Sequence, residues 1–70
     1  MIEEDVLGSI KCIKDWTLNN KLIFKKNWNY PYIEEKINVD TRIKSLLVCN
    51  DEIRIWFHSG SEYFNIDFID

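Results

Sequence analysis

The last third of the chain shows the clearest alternation of apolar and polar positions. Two segments put their apolar residues on one side: Ile53, Ile55 and Phe57 within residues 52–58, and Phe64, Ile66 and Phe68 within residues 63–70. A period of two places such residues on one face of a β-strand. The apolar run at residues 46–49 precedes them, across a turn pair, Asn50-Asp51, that tolerates left-handed backbone. Residues 46–70 therefore predict a three-stranded meander.

The pattern near the N-terminus fits two structures. Residues 9–14 fit a strand, while Ile2, Val6, Ile10 and Ile13 also fall at helical spacing. The strand is favoured because Gly8 interrupts the helical pattern and the chain contains no Ala, the best helix former. A short N-terminal helix remains the alternative.

The middle of the chain predicts short segments. We expect a loop at residues 15–20, a short apolar run at residues 22–24, and a loop or hairpin tip at residues 36–44. Residues 30–35 predict a strand that begins at an edge or bulge, because Pro31 donates no ladder hydrogen bond. About five short strands without a long helix predict a mainly β fold, a small antiparallel barrel.

Length and charge narrow the class of protein. Seventy residues make one small domain, which we divide into an extension at residues 1–8 and a barrel at residues 9–70. Nine Lys and Arg against 12 Asp and Glu give 9 − 12 = −3, which makes nucleic acid an unlikely partner. No apolar run approaches the roughly 18 residues of a membrane span. The acidic start at residues 1–5 lacks the basic region of a secretory signal, so we expect a cytoplasmic protein and no membrane partner.

Residues that could support catalysis are few. One His and two Cys without ligand spacing predict no metal site, and no Gly-rich loop is present to hold a phosphate cofactor. A Cys49–His58 nucleophile pair would need the two side chains adjacent in space, and structural roles are favoured for both. Cys12 and Cys49 are interpreted as buried thiols in strands. We therefore expect no enzyme and no cofactor.

The outward positions of the predicted meander are the main candidate site. If Ile53, Ile55 and Phe57 face the core, the residues between them face away. The predicted partner-binding residues, with Tyr63 expected on the same side, are Arg54, Trp56, His58 and Tyr63. Trp, Tyr and Arg dominate protein-binding hot spots. The alternative is that the N-terminal segment folds over Trp56 and buries it.

A second cluster combines basic and aromatic residues. Lys21, Lys25 and Lys26 lie near Trp16, Phe24 and Trp28 in the sequence. Such a mixture suits stacking on single-stranded nucleic acid. The secondary candidates are Lys25, Lys26, Trp28 and Tyr30.

The order of short motifs resembles the small Src-homology-3-like barrel proteins of phages and prophages from low-GC bacteria. The matching segments cover residues 9–68: Ile10-Lys11-Cys12-Ile13, Leu22 with Tyr30, Tyr32-Ile33-Glu34-Glu35, Val48-Cys49-Asn50-Asp51-Glu52-Ile53, Trp56-Phe57, and Ser61-Glu62-Tyr63-Phe64-Asn65-Ile66. Asn27 and Asn29 stand where that family usually has Gly in its entry turn.

The resemblance implies a scaffold and a phage setting, with the cytoplasm of the host cell as the place of action. Within that setting we expect a non-enzymatic inhibitor of a host protein or nuclease complex, by analogy with anti-defence and anti-CRISPR proteins. A homodimer is an open alternative. So is an oligomeric sponge that sequesters a small nucleotide signal, with Lys25, Lys26, Arg54 and Tyr63 as its candidate residues.

Overall fold

The computed structural model describes residues 6–70, and within this range it contains six β-strands and no helix. The strands are β1 (Gly8–Lys11), β2 (Trp16–Leu18), β3 (Lys21–Phe24), β4 (Asn29–Asn38), β5 (Ile43–Cys49) and β6 (Arg54–His58). An antiparallel sheet has the order β1-β4-β5-β6, and β2 and β3 form a separate hairpin. The prediction of a mainly β, antiparallel fold is confirmed. The two sheets do not close into the expected barrel.

The sequence near the N-terminus allowed either a strand or a short helix. The described residues of this segment form a strand. Gly8–Lys11 pairs with Asn29–Tyr32 as β1, and residues 6–7 are not helical. The ring of Tyr32 crosses Gly8 so closely that a Cβ there would lie 2.6 Å from the Tyr32 hydroxyl oxygen. A larger residue at position 8 would displace that ring. The part of the predicted extension and helix at residues 1–5 lies outside the described residues.

The predicted loop at residues 15–20 is wrong, because it contains β2 and the turn of a hairpin. Asn19 and Asn20 connect β2 to β3 with φ values of 51° and 66°. Two consecutive left-handed residues form the turn type that matches the twist of a two-stranded ribbon. Asn tolerates this conformation better than most residues, so the Asn-Asn pair supplies the turn without glycine.

The predicted hairpin tip at residues 36–44 is shorter than expected. β4 continues to Asn38 and β5 begins at Ile43, so only residues 39–42 connect them. The register between the two strands shifts between Tyr32 and Glu34, which marks a bulge near the expected position after Pro31. The bulge changes the direction of β4 where it passes from β1 to β5.

The β5–β6 connection is a four-residue turn centred on Asp51 and Glu52. The Asn50 side-chain oxygen accepts hydrogen bonds from the backbone N–H groups of Glu52 and Ile53, at 2.7 and 2.9 Å. Neither Asn50 nor Asp51 has a positive φ, so the turn does not use the left-handed backbone that this pair tolerates. The Asn50 side chain supplies the turn instead.

The third strand of the predicted meander is also wrong. After β6, Gly60 adopts a φ of 84° and the Ser61 N–H donates to the His58 carbonyl oxygen, which turns the chain away from β6. Phe64 then forms an isolated bridge with Cys12 instead of pairing along β6. Phe64 and Ile66 enter the core as the alternation predicts, but Phe68, which was predicted on the same face, is 57% exposed, so that part of the prediction is wrong.

Aromatic rings dominate the hydrophobic core. Phe24, Phe57 and Phe64 contact one another with ring centroids 4.6–5.6 Å apart. Trp16 and Tyr30 pack against this group. These contacts join the large sheet, the β2–β3 hairpin and the C-terminal segment into one core. Among the described residues no helix could span a membrane.

Candidate partner-binding site

The large sheet has apolar residues on both of its faces. Leu46, Val48, Ile55 and Phe57 belong to the main core, and we call their side the core face. A second cluster lies on the opposite side, which we call the outer face: Ile33, Leu47, Cys49 and Trp56. Alternation along β5 and β6 produces this separation, because neighbouring residues of a strand point to opposite faces.

Trp56 lies on the outer face, as its position between Ile55 and Phe57 predicts. It pairs directly with Leu47 across the β5–β6 ladder. The ammonium nitrogen of Lys36 lies 4.6 Å from the centre of its ring, within the range of a cation–π interaction. The indole is therefore partly buried, supported beneath by apolar side chains and flanked by a cation.

His58 and Arg54 occupy the two ends of β6 and are exposed. His58 pairs with Ser45, and the Ser45 hydroxyl oxygen lies 2.6 Å from its Nδ1. Arg54 pairs with Cys49 at the other end of the ladder. The hydrogen bond between Ser45 and His58 fixes the imidazole ring over the outer face.

Tyr63 does not share the outer face, so that part of the prediction is wrong. Its ring contacts Phe57 at 6.2 Å between centroids and packs against the main core. The Lys14 ammonium lies 5.6 Å from the Tyr63 ring centre and 3.3 Å from a Glu62 carboxylate oxygen. The turn at residues 59–62 carries Tyr63 past the edge of β6 to the core side.

An open cavity nevertheless brings three of the four predicted residues together. It has a volume of about 330 Å³ and is lined by Trp56, Phe57, His58, Ser59, Gly60, Ser61, Glu62 and Tyr63. Trp56 and His58 line it from β6, and Tyr63 lines it from the segment beyond the turn. The volume is at the lower end of the range for ligand pockets, about 300–1,000 Å³. The cavity is large enough for side chains of a partner.

The walls of this cavity are held by hydrogen bonds. The Ser59 hydroxyl lies 2.9 Å from both the Lys44 amide nitrogen and the Asp67 carbonyl oxygen. The Ser61 hydroxyl accepts a bond from the Tyr63 N–H at 3.0 Å. The turn is consequently tied to β5 and to the C-terminal segment, so the cavity is largely formed before any partner binds.

Three of the four secondary candidates for partner binding, Lys25, Lys26 and Trp28, lie on the turn between β3 and β4. Trp28 is 57% exposed, and the Lys25 ammonium lies 5.1 Å from its ring centre. The Lys26 N–H donates to Asp15, and Asn27 has a φ of 75°. Lys25, Lys26 and Trp28 thus form a small exposed basic and aromatic turn.

Tyr30 differs from the other secondary candidates because it is mainly a core residue. Its ring lies 4.9 Å from Phe24 and 6.4 Å from Phe64, and its hydroxyl accepts a bond from the Lys25 N–H at 2.7 Å. Tyr30 therefore connects the turn between β3 and β4 to the core.

The proposed nucleotide-sponge residues lie on separate parts of the chain. Lys25 and Lys26 lie on the β3–β4 turn, Arg54 begins β6, and Tyr63 follows the turn after it. Only Tyr63 of the four lines the cavity beside β6. The sponge hypothesis would therefore need an assembly that brings these elements together.

Among the described residues, the fold does not bring the candidate Cys49–His58 pair together. Cys49 and His58 stand four residues apart along the β5–β6 ladder, about 13 Å at the spacing of a strand. Burial raises the pKa of the Cys12 thiol, and the nearby Asp15 carboxylate raises it further. Within residues 6–70 no group of three or more His, Cys, Asp or Glu side chains could hold a metal ion.

Several residues of this site were missed from the sequence. Lys36 was expected in a hairpin tip, and Ser45, Ile33 and Leu47 received no role. One signal was available, since the unbroken apolar run at residues 46–49 is typical of a strand buried on both faces. β5 is such a strand. Lys36 and Ser45 carry no comparable signal because their roles depend on strand pairing.

A scan against protein-family models and searches of curated proteins and of solved structures find no match to this chain.

Proposed function

We propose that this chain is a non-enzymatic protein-binding module whose site is the cavity beside β6. The observation that carries the proposal is the convergence of Trp56, His58 and Tyr63 on one open cavity. Trp and Tyr offer large contact areas and polar groups with few rotatable bonds, which is why they are frequent in binding hot spots.

The chemistry of the site favours a partner with an apolar side chain and a nearby carboxylate. The aromatic rings of Trp56, Phe57 and Tyr63 provide an apolar wall. Lys36 lies on the adjacent outer face and can meet a carboxylate beside Trp56. Lys36 therefore adds specificity and association rate more than affinity.

The resemblance to phage Src-homology-3-like proteins extends this proposal to an inhibitor of a host protein or nuclease complex. An inhibitor of this kind acts by covering a surface of its target and needs no catalytic group.

The test compares two tryptophans of the same chain. The immobilised protein is incubated with a low-GC bacterial lysate, and the retained protein is identified, purified and titrated against each variant. Trp56→Ala should weaken binding by about 30-fold, the loss of a hot-spot residue. Trp28→Ala is the matched control and should change the affinity by less than about twofold.

Two results would contradict the proposal. One is unchanged affinity in a Trp56→Ala variant that folds normally. The other is a loss of affinity in Trp28→Ala alone, which would move the binding site to the β3–β4 turn.

The exposed turn of Lys25, Lys26 and Trp28 supports single-stranded nucleic acid binding as a second candidate function. A tryptophan next to cations is a stacking platform for bases. Its test is a tryptophan-fluorescence titration with oligothymidylate at low and moderate salt. Binding that falls steeply with salt and is lost in Trp28→Ala would support it. No binding at low salt would exclude it.

A further inference from the structure

The edge of β6 carries main-chain groups that face away from the sheet. In the β5–β6 ladder, the Ser59 N–H donates to the Lys44 carbonyl oxygen and the Asn50 N–H donates to the Ile53 carbonyl oxygen. Hydrogen-bonded pairs alternate with non-bonded pairs in an antiparallel ladder. The paired positions are therefore Phe57 with Leu46 and Ile55 with Val48.

The residues between these pairs direct their peptide groups to the free side of β6. Trp56 is the central one, and neither its N–H nor its C=O has a hydrogen-bond partner among the described residues. The His58 N–H points the same way, while the His58 carbonyl oxygen accepts a bond from the Ser61 N–H. Two donors and one acceptor thus lie in a row along the strand.

The cavity lies beside this same row. It is lined by the chain from Trp56 to Tyr63, so the space next to the outward peptide groups of β6 is open. The turn at residues 59–62 carries the chain away from β6, and the predicted third strand of the meander does not occupy this edge. An unpaired edge of this kind is a template for another strand.

We propose that the partner binds by adding an extended segment, antiparallel to β6, to the main-chain groups of Trp56 and His58. This inference rests on the proposed function and specifies how the partner is held. The partner residue opposite Trp56 would form a hydrogen-bonded pair with it and place its side chain on the outer face, beside the indole. The residue opposite His58 would lie on the same face.

The side chains of β6 determine the sequence that suits such a segment. The position opposite Trp56 favours an apolar or aromatic side chain, since cross-strand neighbours on one face contact each other. The position two residues along the segment meets His58, whose ring is fixed by Ser45, and favours a polar side chain. The segment therefore carries an apolar residue opposite Trp56 and a polar residue two positions along, both on the outer face.

Charge disfavours a second copy of this chain as the occupant. Each copy carries a net charge of −3, which opposes self-association. An antiparallel β6–β6 pair centred on Trp56 would bring the Asp51-Glu52 turn of one copy near the Ser61-Glu62 turn of the other. Glu52 and Glu62 are held in ion pairs by Lys21 and Lys14, so the local repulsion comes from the Asp51 carboxylate. A partner strand without acidic residues at that end avoids the repulsion.

The experiment uses a random library of displayed peptides about ten residues long, which is the length of a long strand. Peptides are selected on the immobilised full chain, and the tightest one is synthesised with a single N-methyl group at each position in turn. Methylation removes one main-chain donor. We expect an alternating result, with losses of about tenfold at every second central residue and changes below about twofold between them.

A pair of variants tests the same edge from the side of the protein. His58→Pro removes an N–H that the β5 ladder does not use, and proline is tolerated at such an outward position of an edge strand. His58→Ala is its control and removes only the imidazole. We expect His58→Pro to weaken peptide binding by at least about fivefold relative to His58→Ala.

The outcomes separate this inference from the proposed function. A peptide that requires Trp56 but shows a flat methylation scan overturns strand addition and leaves protein binding intact. Selection of no peptide, or dimerisation of the chain through β6, also overturns strand addition. If neither a peptide nor a purified partner depends on Trp56, both proposals fail. Should His58→Pro fail to fold, the methylation scan on the unmodified protein still decides the question.

Discussion

At the scale of single residues, Cys12 combines full burial with a titratable group. Its side chain has no exposed surface, and its Sγ lies 2.9 Å from the Lys14 carbonyl oxygen. Burial and the neighbouring Asp15 raise the pKa of the thiol. Because the thiolate is the reactive form, Cys12 is a poor nucleophile in the folded protein.

We predict that Cys12 reacts slowly with iodoacetamide until the protein unfolds. The rate in the native protein should be at least about 100-fold below the rate in urea, with the modified site identified by peptide mapping. Equal rates in the two conditions would show that the thiol is not enclosed.

The raised pKa of the Cys12 thiol also lowers the free energy of unfolding at alkaline pH. In the unfolded chain it loses its proton near an ordinary pKa of about 8.5, whereas the folded protein retains the proton to higher pH. The folded state then binds more protons, so the free energy of unfolding falls as pH rises through this window. Urea titrations at about pH 7 and about pH 10 should show a smaller loss of stability in Cys12→Ala than in the wild type.

At the scale of secondary-structure elements, the pairing of β6 on one side only is the feature on which the proposed strand addition depends. Val48 and Leu46 engage the peptide groups of Ile55 and Phe57, while those of Trp56 face the cavity. The next segment of the chain would have covered this edge if it had formed the predicted third strand. The Gly60 turn prevents that pairing.

We predict alternating hydrogen exchange along β6. The amides of Ile55 and Phe57 should be protected, because they donate to β5. The Trp56 amide should exchange at least about tenfold faster than either neighbour in the free protein, measured by NMR. Equal protection at all three positions would mean that the edge is already paired.

The sequence patterns predicted which side chains are buried better than they predicted which strands pair with one another. The alternation at residues 52–58 correctly assigned Trp56 to the face opposite Phe57. The same alternation at residues 63–68 correctly assigned Phe64 and Ile66 to the core but wrongly implied a strand. A period of two reports which side is buried; it does not report which neighbour supplies the hydrogen bonds.

At the scale of the whole molecule, stability depends on a small aromatic core. At about 0.05–0.15 kcal/mol per residue, a chain of this length has a free energy of unfolding of about 4–10 kcal/mol. Phe64 is fully buried and contacts Phe24, Phe57 and Tyr30. Together with Ile66, it anchors the C-terminal segment in that core.

We predict that Phe64→Ala costs about 3–5 kcal/mol, which is roughly half of the free energy of unfolding expected for the domain. Phe68→Ala is the matched control, since Phe68 is 57% exposed, and should cost about 1 kcal/mol or less. Urea unfolding followed by tryptophan fluorescence measures both. Similar midpoints for the two variants would contradict the assignment of Phe64 as a core residue.

The sequence by itself determined the local facts: a mainly β chain, the turn at Asn50-Asp51, and the orientation of Trp56 away from Phe57. These follow from side-chain chemistry and from the geometry of one strand. Only the tertiary structure decided which strands pair, that Lys36 and Ser45 lie beside Trp56 and His58, and that Tyr63 reaches the same cavity from the core side. Such contacts join residues far apart in the chain, and their free energies depend on packing that no short stretch of sequence contains.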